Sequence, residues 1–349
     1  MSVSECMDCD KGEGNDCLLY LVSPMIRIIS YGEILVDMLS DRILETKQKD
    51  NEQFTKFPGG APANVAAAVA QLGGDSYFAG KISTDIFGEF LHDALVQMGV
   101  KTDYIYRIEN KKTALAFVSR DASGERSFEF FRSDTADLNF DRNDFNQHWF
   151  EEDGIFHACS NTLTEKEAYK TTLVGLKMAK NNDWLVSFDV NLRLNLWDDI
   201  SDALPRVWDC LAQAHIVKLS KEELMFLADG GREDMAIDRL LAGKSEIVVV
   251  TDGANPLICY LKCDQLTLDP PKVETRDSTA AGDAFVGGFL YGLSEKNFTP
   301  TNLPELVRDK DELYQVLTFA SSCGAFAATK EGAFTSLPNQ HDLNGLMLG

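Results

Sequence analysis

A turn of small residues that runs directly into a long apolar segment constrains this chain more than any other feature. The residues Ser278-Thr279-Ala280-Ala281-Gly282-Asp283 precede an apolar run that continues to Leu290. Small side chains let a ligand approach the backbone, and the N–H groups at a helix start attract anions. One interpretation is an anion site in which Asp283 is a general base that activates a hydroxyl group for attack on phosphate. The alternative is only a tight turn in which Asp283 interacts with the helix dipole.

Length, composition and charge limit the classes of protein to consider. The chain has 349 residues, of which 44% are hydrophobic, and this predicts one large α/β domain. The net charge of −22 disfavours binding to nucleic acid or to an anionic membrane, and no apolar run has the length of a membrane span. Eight dispersed cysteines favour free thiols in a reducing cytoplasm. Residues 1–24 are polar and irregular, so we expect an unstructured leader before a folded domain at residues 25–349.

From residue 154 onward, strand-like and helix-like segments alternate. Strands are predicted at residues 155–158, 185–189, 215–219 and 246–251. This alternation indicates a parallel sheet with helices on both faces, in which ligands bind at the carboxyl ends of the strands. Polar residues follow three of these strands, as Asp189-Val190-Asn191-Leu192-Arg193, Ser220 with Glu223, and Thr251-Asp252-Gly253.

A glycine pair precedes a second predicted helix in the N-terminal half. Gly59 and Gly60 stand before an alanine-rich helix that contains Asn64 in its first turn. Such a pair permits close approach of a small ligand, and Asn64 offers both a donor and an acceptor, although an asparagine there can also be only a helix cap. Asp37 lies inside an apolar strand pattern, where its carboxylate needs hydrogen-bond donors from the protein or from ligand hydroxyl groups.

Residues 102–132 interrupt the alternation of helices and strands. Short strand patterns occupy residues 114–118 and 127–131, with Phe128 and Phe130 on one face and Glu129 on the other. A β-rich insert of this kind indicates a lid over a site, or alternatively an excursion of the main sheet.

Two segments about two hundred residues apart together resemble the two signatures of the PfkB, or ribokinase-like, family of sugar kinases. They are Gly59-Gly60…Asn64…Leu72-Gly73 and Asp277-x-x-Ala280-Ala281-Gly282-Asp283, and the resemblance covers about residues 26–340. Within that family the chain is most similar to bacterial fructokinases. The residues that carry this similarity are Tyr31-Gly32-Glu33-Ile34-Leu35-Val36-Asp37, Phe57-Pro58-Gly59-Gly60-Ala61-Pro62-Ala63-Asn64, Phe188-Asp189-Val190-Asn191-Leu192-Arg193 and Val217-Lys218-Leu219-Ser220-Lys221-Glu222-Glu223.

The resemblance implies a ribokinase-like three-layer α/β/α sandwich with a small β-sheet lid, built from segments near 40–57 and 102–133. It implies ATP-dependent phosphorylation of a sugar hydroxyl group, with D-fructose converted to fructose 6-phosphate. ATP and Mg²⁺ are the implied co-substrate and cofactor, and K⁺ is a further candidate ion. The implied partners are the sugar, ATP and a second copy of the chain that docks through the lid.

The resemblance also implies a role for individual residues. Asp283 would be the general base, and the backbone N–H groups of Ala280, Ala281 and Gly282 would hold the transferring phosphoryl group. The implied sugar contacts are Asp37, Gly59, Gly60, Asn64, Phe117, Arg132, Asn161 and Arg193. The nucleotide would contact Lys218, Ser220, Glu223, Thr251, Gly253 and Gly282, with Glu223 near magnesium. The positions around potassium would be Asp277, Thr279, Ala327, Lys330, Gly332 and Ser336.

The sequence leaves the acceptor open. 2-Keto-3-deoxygluconate, ribose and a nucleoside are the alternatives, and Arg132 or Arg193 could bind the carboxylate of a keto acid. A nucleoside would need an apolar pocket under the lid. A sugar-binding regulatory protein without catalysis is an alternative of another class, which the intact Asp283 and its small-residue loop disfavour.

Overall fold

Two β-sheets, one large and one small, organise the fold. The computed structural model of the protein describes residues 25–43, 53–120 and 126–344, so the predicted leader at residues 1–24 lies outside the described residues. The large sheet has nine strands among these residues. They are β1 Arg27–Tyr31, β4 Ser76–Ser83, β5 Lys101–Ile108, β8 Gly154–Cys159, β9 Leu185–Asp189, β10 Ile216–Ser220, β11 Ile247–Asp252, β12 Asn255–Leu261 and β13 Asp264–Leu268.

The order of strands across the large sheet is β13-β12-β11-β10-β9-β8-β1-β4-β5. All neighbours from β5 to β11 pair in parallel, whereas β12 and β13 add an antiparallel edge. The parallel sheet predicted from the alternating pattern is therefore confirmed. Parallel strands bring their carboxyl ends to one edge of the sheet, and the polar residues that follow β9, β10 and β11 meet there.

Helices cover both faces of the large sheet. They are α1 Ala61–Gln71, α2 Ile86–Gln97, α3 Lys166–Asn181, α4 Ala203–Leu211, α5 Lys221–Leu227, α6 Glu233–Ala242, α7 Ala281–Glu295, α8 Leu303–Arg308, α9 Lys310–Ala328 and α10 Gln340–Leu343. No helix in the described part of the chain combines the length and apolar character needed to cross a membrane.

Strand residues alternate between two hydrophobic cores. Ile29 and Phe156 belong to the core that includes Leu176 of α3 and Val207 of α4. Their neighbours, such as Ile28, belong to the opposite core with residues of α7 and α9. Because side chains on a strand alternate with a period of two, a strand that is apolar at every position is buried on both sides. The three-layer sandwich is thus confirmed.

The second sheet has four strands among the described residues and lies apart from the large sheet. It contains β2 Leu35–Ile43, β3 Phe54–Gly59, β6 Leu115–Arg120 and β7 Arg126–Phe131, in the order β3-β2-β6-β7. The predicted lid segments near 40–57 and 102–133 each need correction at their start. The lid begins earlier, at Leu35, and residues 101–108 form β5, which pairs with β4 at the edge of the large sheet.

Candidate active site

Two cavities meet at Asp283. The lid cavity, of about 740 Å³, lies under the small sheet, and the helix cavity, of about 560 Å³, lies beside α7 and α9. A ligand in either cavity can therefore approach the same carboxyl group. The residues that line both cavities are Asn191, Arg193, Thr275, Ser278, Thr279 and Asp283.

The start of α7 forms the wall between the cavities. Ala280 is the N-cap residue, and no side chain caps the helix there. A Cβ atom placed on Gly282 would lie 3.2 Å from Lys218 Nζ, so the ammonium group sits against the first turn of the helix. The positive end of the helix dipole and this ammonium group both favour a negative charge at the same point. Of the anion loop predicted at residues 280–282, Ala281 and Gly282 line the helix cavity, while Ala280 is buried beneath it.

Two asparagine amides hold the Asp283 carboxylate. Asn64 Nδ2 donates to Asp283 Oδ2 at 2.7 Å, and Asn191 Nδ2 donates to Asp283 Oδ1 at 3.3 Å. Burial raises the pKa of Asp283 to about 7, although the hydrogen bond from Asn64 opposes this rise. A carboxyl group with a pKa near neutrality can accept a proton during a reaction and release it afterwards, as a general base requires.

Buried charges lie behind the start of α7. Lys218 Nζ and Asp189 Oδ2 are 3.1 Å apart, at neighbouring positions of β10 and β9. Burial raises the pKa of Asp189, although Lys218 opposes this rise. Burial alone would lower the pKa of Lys218, but Asp189 and Glu223 outweigh it and leave that pKa raised. Lys218 therefore keeps its positive charge at the wall of the helix cavity.

Ser220 and Glu223 form a capping box at the start of α5. Ser220 Oγ accepts from the backbone N–H of Glu223 at 3.2 Å, and Glu223 Oε2 accepts from the N–H of Ser220 at 2.7 Å. Glu223 Oε1 also accepts from the N–H of Leu192 at 2.7 Å, which ties α5 to the loop after β9. The Ser220 hydroxyl group therefore caps α5, and the Glu223 carboxylate closes the capping box.

A buried polar cluster forms the floor of the lid cavity. Asn161 Nδ2 donates to Glu33 Oε1 at 2.9 Å, and the N–H of Ala61 donates to the same oxygen at 3.2 Å. Arg132 Nε donates to Asp137 Oδ2 at 2.6 Å, and Arg132 Nη1 donates to the backbone oxygen of Asn161 at 2.9 Å. Burial raises the pKa of Glu33, although the charge of Arg132 opposes this rise.

Gly59 and Gly60 make room for Asp37 and Glu33, two of the acidic residues that line the lid cavity. A Cβ atom on Gly59 would lie 2.2 Å from Asp37 Oδ2, and one on Gly60 would lie 2.6 Å from the backbone oxygen of Glu33. Gly60 also has a φ of +106°, which L side chains rarely adopt. Both glycines are therefore required by the packing around Asp37 and Glu33.

The structure does not bring Phe117 to the lid cavity. Phe117 lies on the outer face of the lid, where its ring contacts Phe54 and Phe131 with centroids 5.2 Å apart in each case. The rings that line the cavity are Phe128 and Phe130, whose centroids are 6.1 Å apart. Phe117 pairs with Glu129, between those two residues, so the pleat of the sheet directs it to the other side.

The other predicted contacts divide between the cavities, except that Arg193 lines both and Gly59 lines neither. The predicted sugar residues that line the lid cavity are Asp37, Gly60, Asn64, Arg132, Asn161 and Arg193. The predicted nucleotide residues all line the helix cavity, and they are Lys218, Ser220, Glu223, Thr251, Gly253 and Gly282. The lid cavity also contains Glu33 and Asn191, for which the sequence predicts no role. Both lie in segments that carry the similarity to fructokinases, and Asn191 also follows a predicted strand.

The predicted potassium positions lie around the loop that precedes α7. Asp277 Oδ1 accepts from the N–H and the hydroxyl group of Thr279 at 3.0 and 2.5 Å, and Asp277 Oδ2 accepts from the N–H of Gly332 at 3.0 Å. These bonds tie the loop to the turn after α9. The remaining predicted positions follow the end of that helix or lie in its last turn, and they are Ala327, Lys330 and Ser336.

The sequence matches the pfkB family of carbohydrate kinases over residues 25–340. This chain belongs to that family. It is therefore a phosphotransferase that acts on a sugar hydroxyl group, as its two motifs predicted, and its ribokinase-like fold is confirmed.

Several relatives within the pfkB family are fructokinases. A crystal structure of fructokinase from Xylella fastidiosa with bound ATP has a TM-score of 0.87 and 39% identity, and the match covers 92% of this chain and 98% of that one. A fructokinase double mutant from Vibrio cholerae O395, in its fructose-, ADP- and potassium-bound form, has a TM-score of 0.81 and 32% identity, with 93% and 98% covered. Probable fructokinase-5 of Arabidopsis thaliana is 35% identical over 321 residues, which cover 92% of this chain and 97% of the relative.

Proposed function

We propose that this protein transfers the γ-phosphoryl group of ATP to D-fructose and forms fructose 6-phosphate. The position of Asp283 between the lid cavity and the helix cavity carries this proposal, because a single base can there activate a sugar hydroxyl group that faces ATP. The similarity to fructokinases, one with ATP bound and one with fructose and ADP bound, supports the choice of both substrates.

The proposed reaction assigns each cavity one substrate. Fructose occupies the lid cavity, and Asp283 takes the proton of the hydroxyl group that attacks the γ-phosphorus of ATP in line. Asn64 and Asn191 hold the carboxylate in position for this transfer. The start of α7 and the ammonium group of Lys218 stabilise the charge on the transferring oxygens. The small sheet covers the sugar and excludes water, which would otherwise compete as the acceptor.

Magnesium fits the helix cavity as an ion that arrives on the ATP phosphates. Magnesium commonly keeps several waters and binds to one or two carboxylates together with phosphate oxygens. The described residues contain no group of three or more His, Cys, Asp or Glu that could hold a metal ion. Both oxygens of Glu223 accept backbone N–H bonds, so we expect this residue to act on the ion through water. When bound, the ion neutralises phosphate charge.

A monovalent ion and a second subunit complete the proposal. The fructokinase from Vibrio cholerae with potassium bound supports a potassium site near the loop that Asp277 holds. The outer face of the lid exposes 37% of Phe54 and 55% of Phe131, which supports a homodimer through the lid. The five cysteines of the described residues are free thiols, which supports a reducing, cytoplasmic location.

An ADP-release assay with magnesium tests the proposed reaction. The acceptors are fructose, ribose, 2-keto-3-deoxygluconate, glucose, adenosine and inosine, each with and without potassium. We expect the highest kcat/KM with fructose and a loss of about 10²- to 10⁴-fold in kcat for Asp283→Asn, because a positioned general base contributes about that factor. Asp311→Asn is the matched control, since it makes the same change in the exposed first turn of α9.

The outcomes separate the alternatives. A preference for another acceptor would keep the kinase but overturn the assignment of fructose. Near-normal turnover by Asp283→Asn would remove Asp283 from the role of base. Sugar binding by calorimetry without ADP release from any acceptor would favour the regulatory, non-catalytic alternative.

A further inference from the structure

Two asparagines of the lid cavity share an unusual arrangement. Asn64 donates its amide N–H to Asp283 at 2.7 Å, and Asn161 donates its amide N–H to Glu33 at 2.9 Å. Each amide oxygen is buried and has no hydrogen-bond partner among the described residues. Only 4% of Asn64 and 8% of Asn161 is exposed, and both residues line the lid cavity.

A buried amide oxygen without a donor is unfavourable, so these two oxygens are expected to accept hydrogen bonds from a bound ligand. The carboxylates determine which end of each amide faces the ligand. Glu33 Oε1 already accepts from the N–H of Ala61 and from Asn161, so it acts as an acceptor. Only the NH₂ end of Asn161 can satisfy it, and the Oδ1 end must then point away from Glu33.

The buried cation of the lid cavity has its charge neutralised by the protein. The Arg132 and Asp137 side chains are 2% and 1% exposed, and Arg132 Nε lies 2.6 Å from Asp137 Oδ2. Burial alone would lower the pKa of Arg132, but the charges of Asp137 and Glu33 outweigh it and leave that pKa raised. A ligand carboxylate at this floor would therefore meet two acidic side chains for one arginine. A ligand hydroxyl group would instead meet oxygen acceptors that lack a donor.

We propose that Glu33 is a positioning residue that fixes the Asn161 amide, so that the floor of the lid cavity accepts hydrogen bonds from ligand hydroxyl groups and selects a neutral polyol over a sugar acid. This inference rests on the proposed function. It names Glu33 as a determinant of specificity that does not itself take part in phosphoryl transfer. It also reverses the expectation that Arg132 could bind the carboxylate of a keto acid.

Analogues of fructose test the direction of these hydrogen bonds. In each analogue one hydroxyl group, other than the one phosphorylated, is replaced by hydrogen or by fluorine. Neither replacement can donate, whereas fluorine can still accept weakly. We expect at least one position at which both analogues raise KM by about 10- to 100-fold, because a buried oxygen is then left unpaired.

Two variants assign that position to Asn161 and Glu33. In Asn161→Ala the oxygen is gone, so fructose and both analogues at the position that faces Asn161 should have similar KM values. A position that faces Asn64 Oδ1 should stay sensitive in this variant. In Glu33→Gln the new amide can donate to Asn161 Oδ1, which allows the Asn161 amide to present its NH₂ end to the ligand. The fluorine analogue should then bind better than the hydrogen analogue. Glu167→Gln on the exposed surface of α3 is the matched control and should behave as wild type.

The results distinguish this inference from the proposed function. Wild-type turnover of fructose with no such position, or with no sensitive position that is lost in Asn161→Ala, overturns the inference and leaves the proposed function intact. An equal loss for fructose and both analogues in Glu33→Gln reduces Glu33 to a structural role and also overturns it. If Glu33→Gln does not fold, the wild-type and Asn161→Ala comparison still decides the direction of the bond. Absence of fructose turnover by the wild type overturns both.

Discussion

Turnover by this protein should depend on pH through Asp283, because burial raises the pKa of that carboxyl group to about 7. The ionised form is the base, so kcat/KM for the sugar should be level above this pH and should fall about tenfold for each pH unit below it. At about pH 6 only roughly one-tenth of the enzyme would carry the ionised base. An ordinary aspartate would show no such decline above about pH 5.

The fall of kcat/KM on the acidic side of this pH profile is called the acid limb. Two substitutions should move the acid limb in opposite directions. Asn64→Ala removes the hydrogen bond of 2.7 Å that stabilises the ionised carboxylate. A hydrogen bond to a charged group contributes about 1.5–3 kcal/mol, and 1.36 kcal/mol is one pKa unit, so the limb should move up by roughly one to two pH units. Asp189→Asn removes a negative charge that raises the pKa of Asp283, so the limb should move down. Asn191→Ala, which removes a bond of 3.3 Å, should give a smaller upward shift.

The assay is steady-state kcat/KM for fructose at saturating ATP and constant ionic strength, from about pH 5 to about pH 9. Asn64→Ala is also expected to raise KM for the sugar, so the position of the limb, rather than the size of the activity, is the quantity compared. Shifts of Asn64→Ala and Asp189→Asn in the same direction would refute this account of the environment of Asp283. An acid limb that persists unchanged in the residual activity of Asp283→Asn would assign it to another group.

Two further predictions concern stability and assembly. A rise in the pKa of Asp283 from 3.8 to about 7 costs roughly 4 kcal/mol above neutral pH, and the cost shrinks as pH falls below the folded-state pKa. Asp283→Asn should therefore raise the melting temperature in calorimetric scans by several degrees at about pH 8 and by less at about pH 5.5. Equal increases in melting temperature at the two pH values would contradict this assignment of the cost to the ionised Asp283. Phe131→Asp should increase the monomer fraction in sedimentation velocity, and a monomeric wild type would contradict the lid dimer.

The sequence was sufficient for features that depend on local patterns. Alternating apolar segments predicted the parallel sheet, and the small-residue turn before Asp283 predicted the start of a helix there. The same reasoning placed Ser220 and Glu223 at the end of a strand, where they form the capping box of α5. In each case the deciding interactions join residues close in sequence or follow from strand order.

The sequence could not predict which face of a strand lines the cavity or which distant residues form hydrogen bonds with each other. Both faces of β6 and β7 carry phenylalanines, with Phe128 and Phe130 on one side and Phe117 and Phe131 on the other. The resemblance implied Phe117 as a sugar contact, but which face of these strands covers the cavity depends on how the small sheet packs on the large one. In the structure Phe128 and Phe130 line the lid cavity and Phe117 does not. Asn191 could not be matched with its partner in advance, because 92 residues separate it from Asp283.

The same burial accounts for both the chemistry and the selectivity of this site. A carboxyl group with a pKa near 7 needs removal from water, and the amides of Asn64 and Asn191 keep it from becoming still harder to ionise. Using the NH₂ end of Asn64 for this purpose leaves its buried oxygen without a donor in a residue that lines the lid cavity. Glu33 has the same effect on Asn161 farther along the floor. Asp283 and Glu33 thus bind the NH₂ ends of the two asparagines and leave the amide oxygens as hydrogen-bond acceptors for the ligand. Such acceptors match the hydroxyl groups of an uncharged sugar.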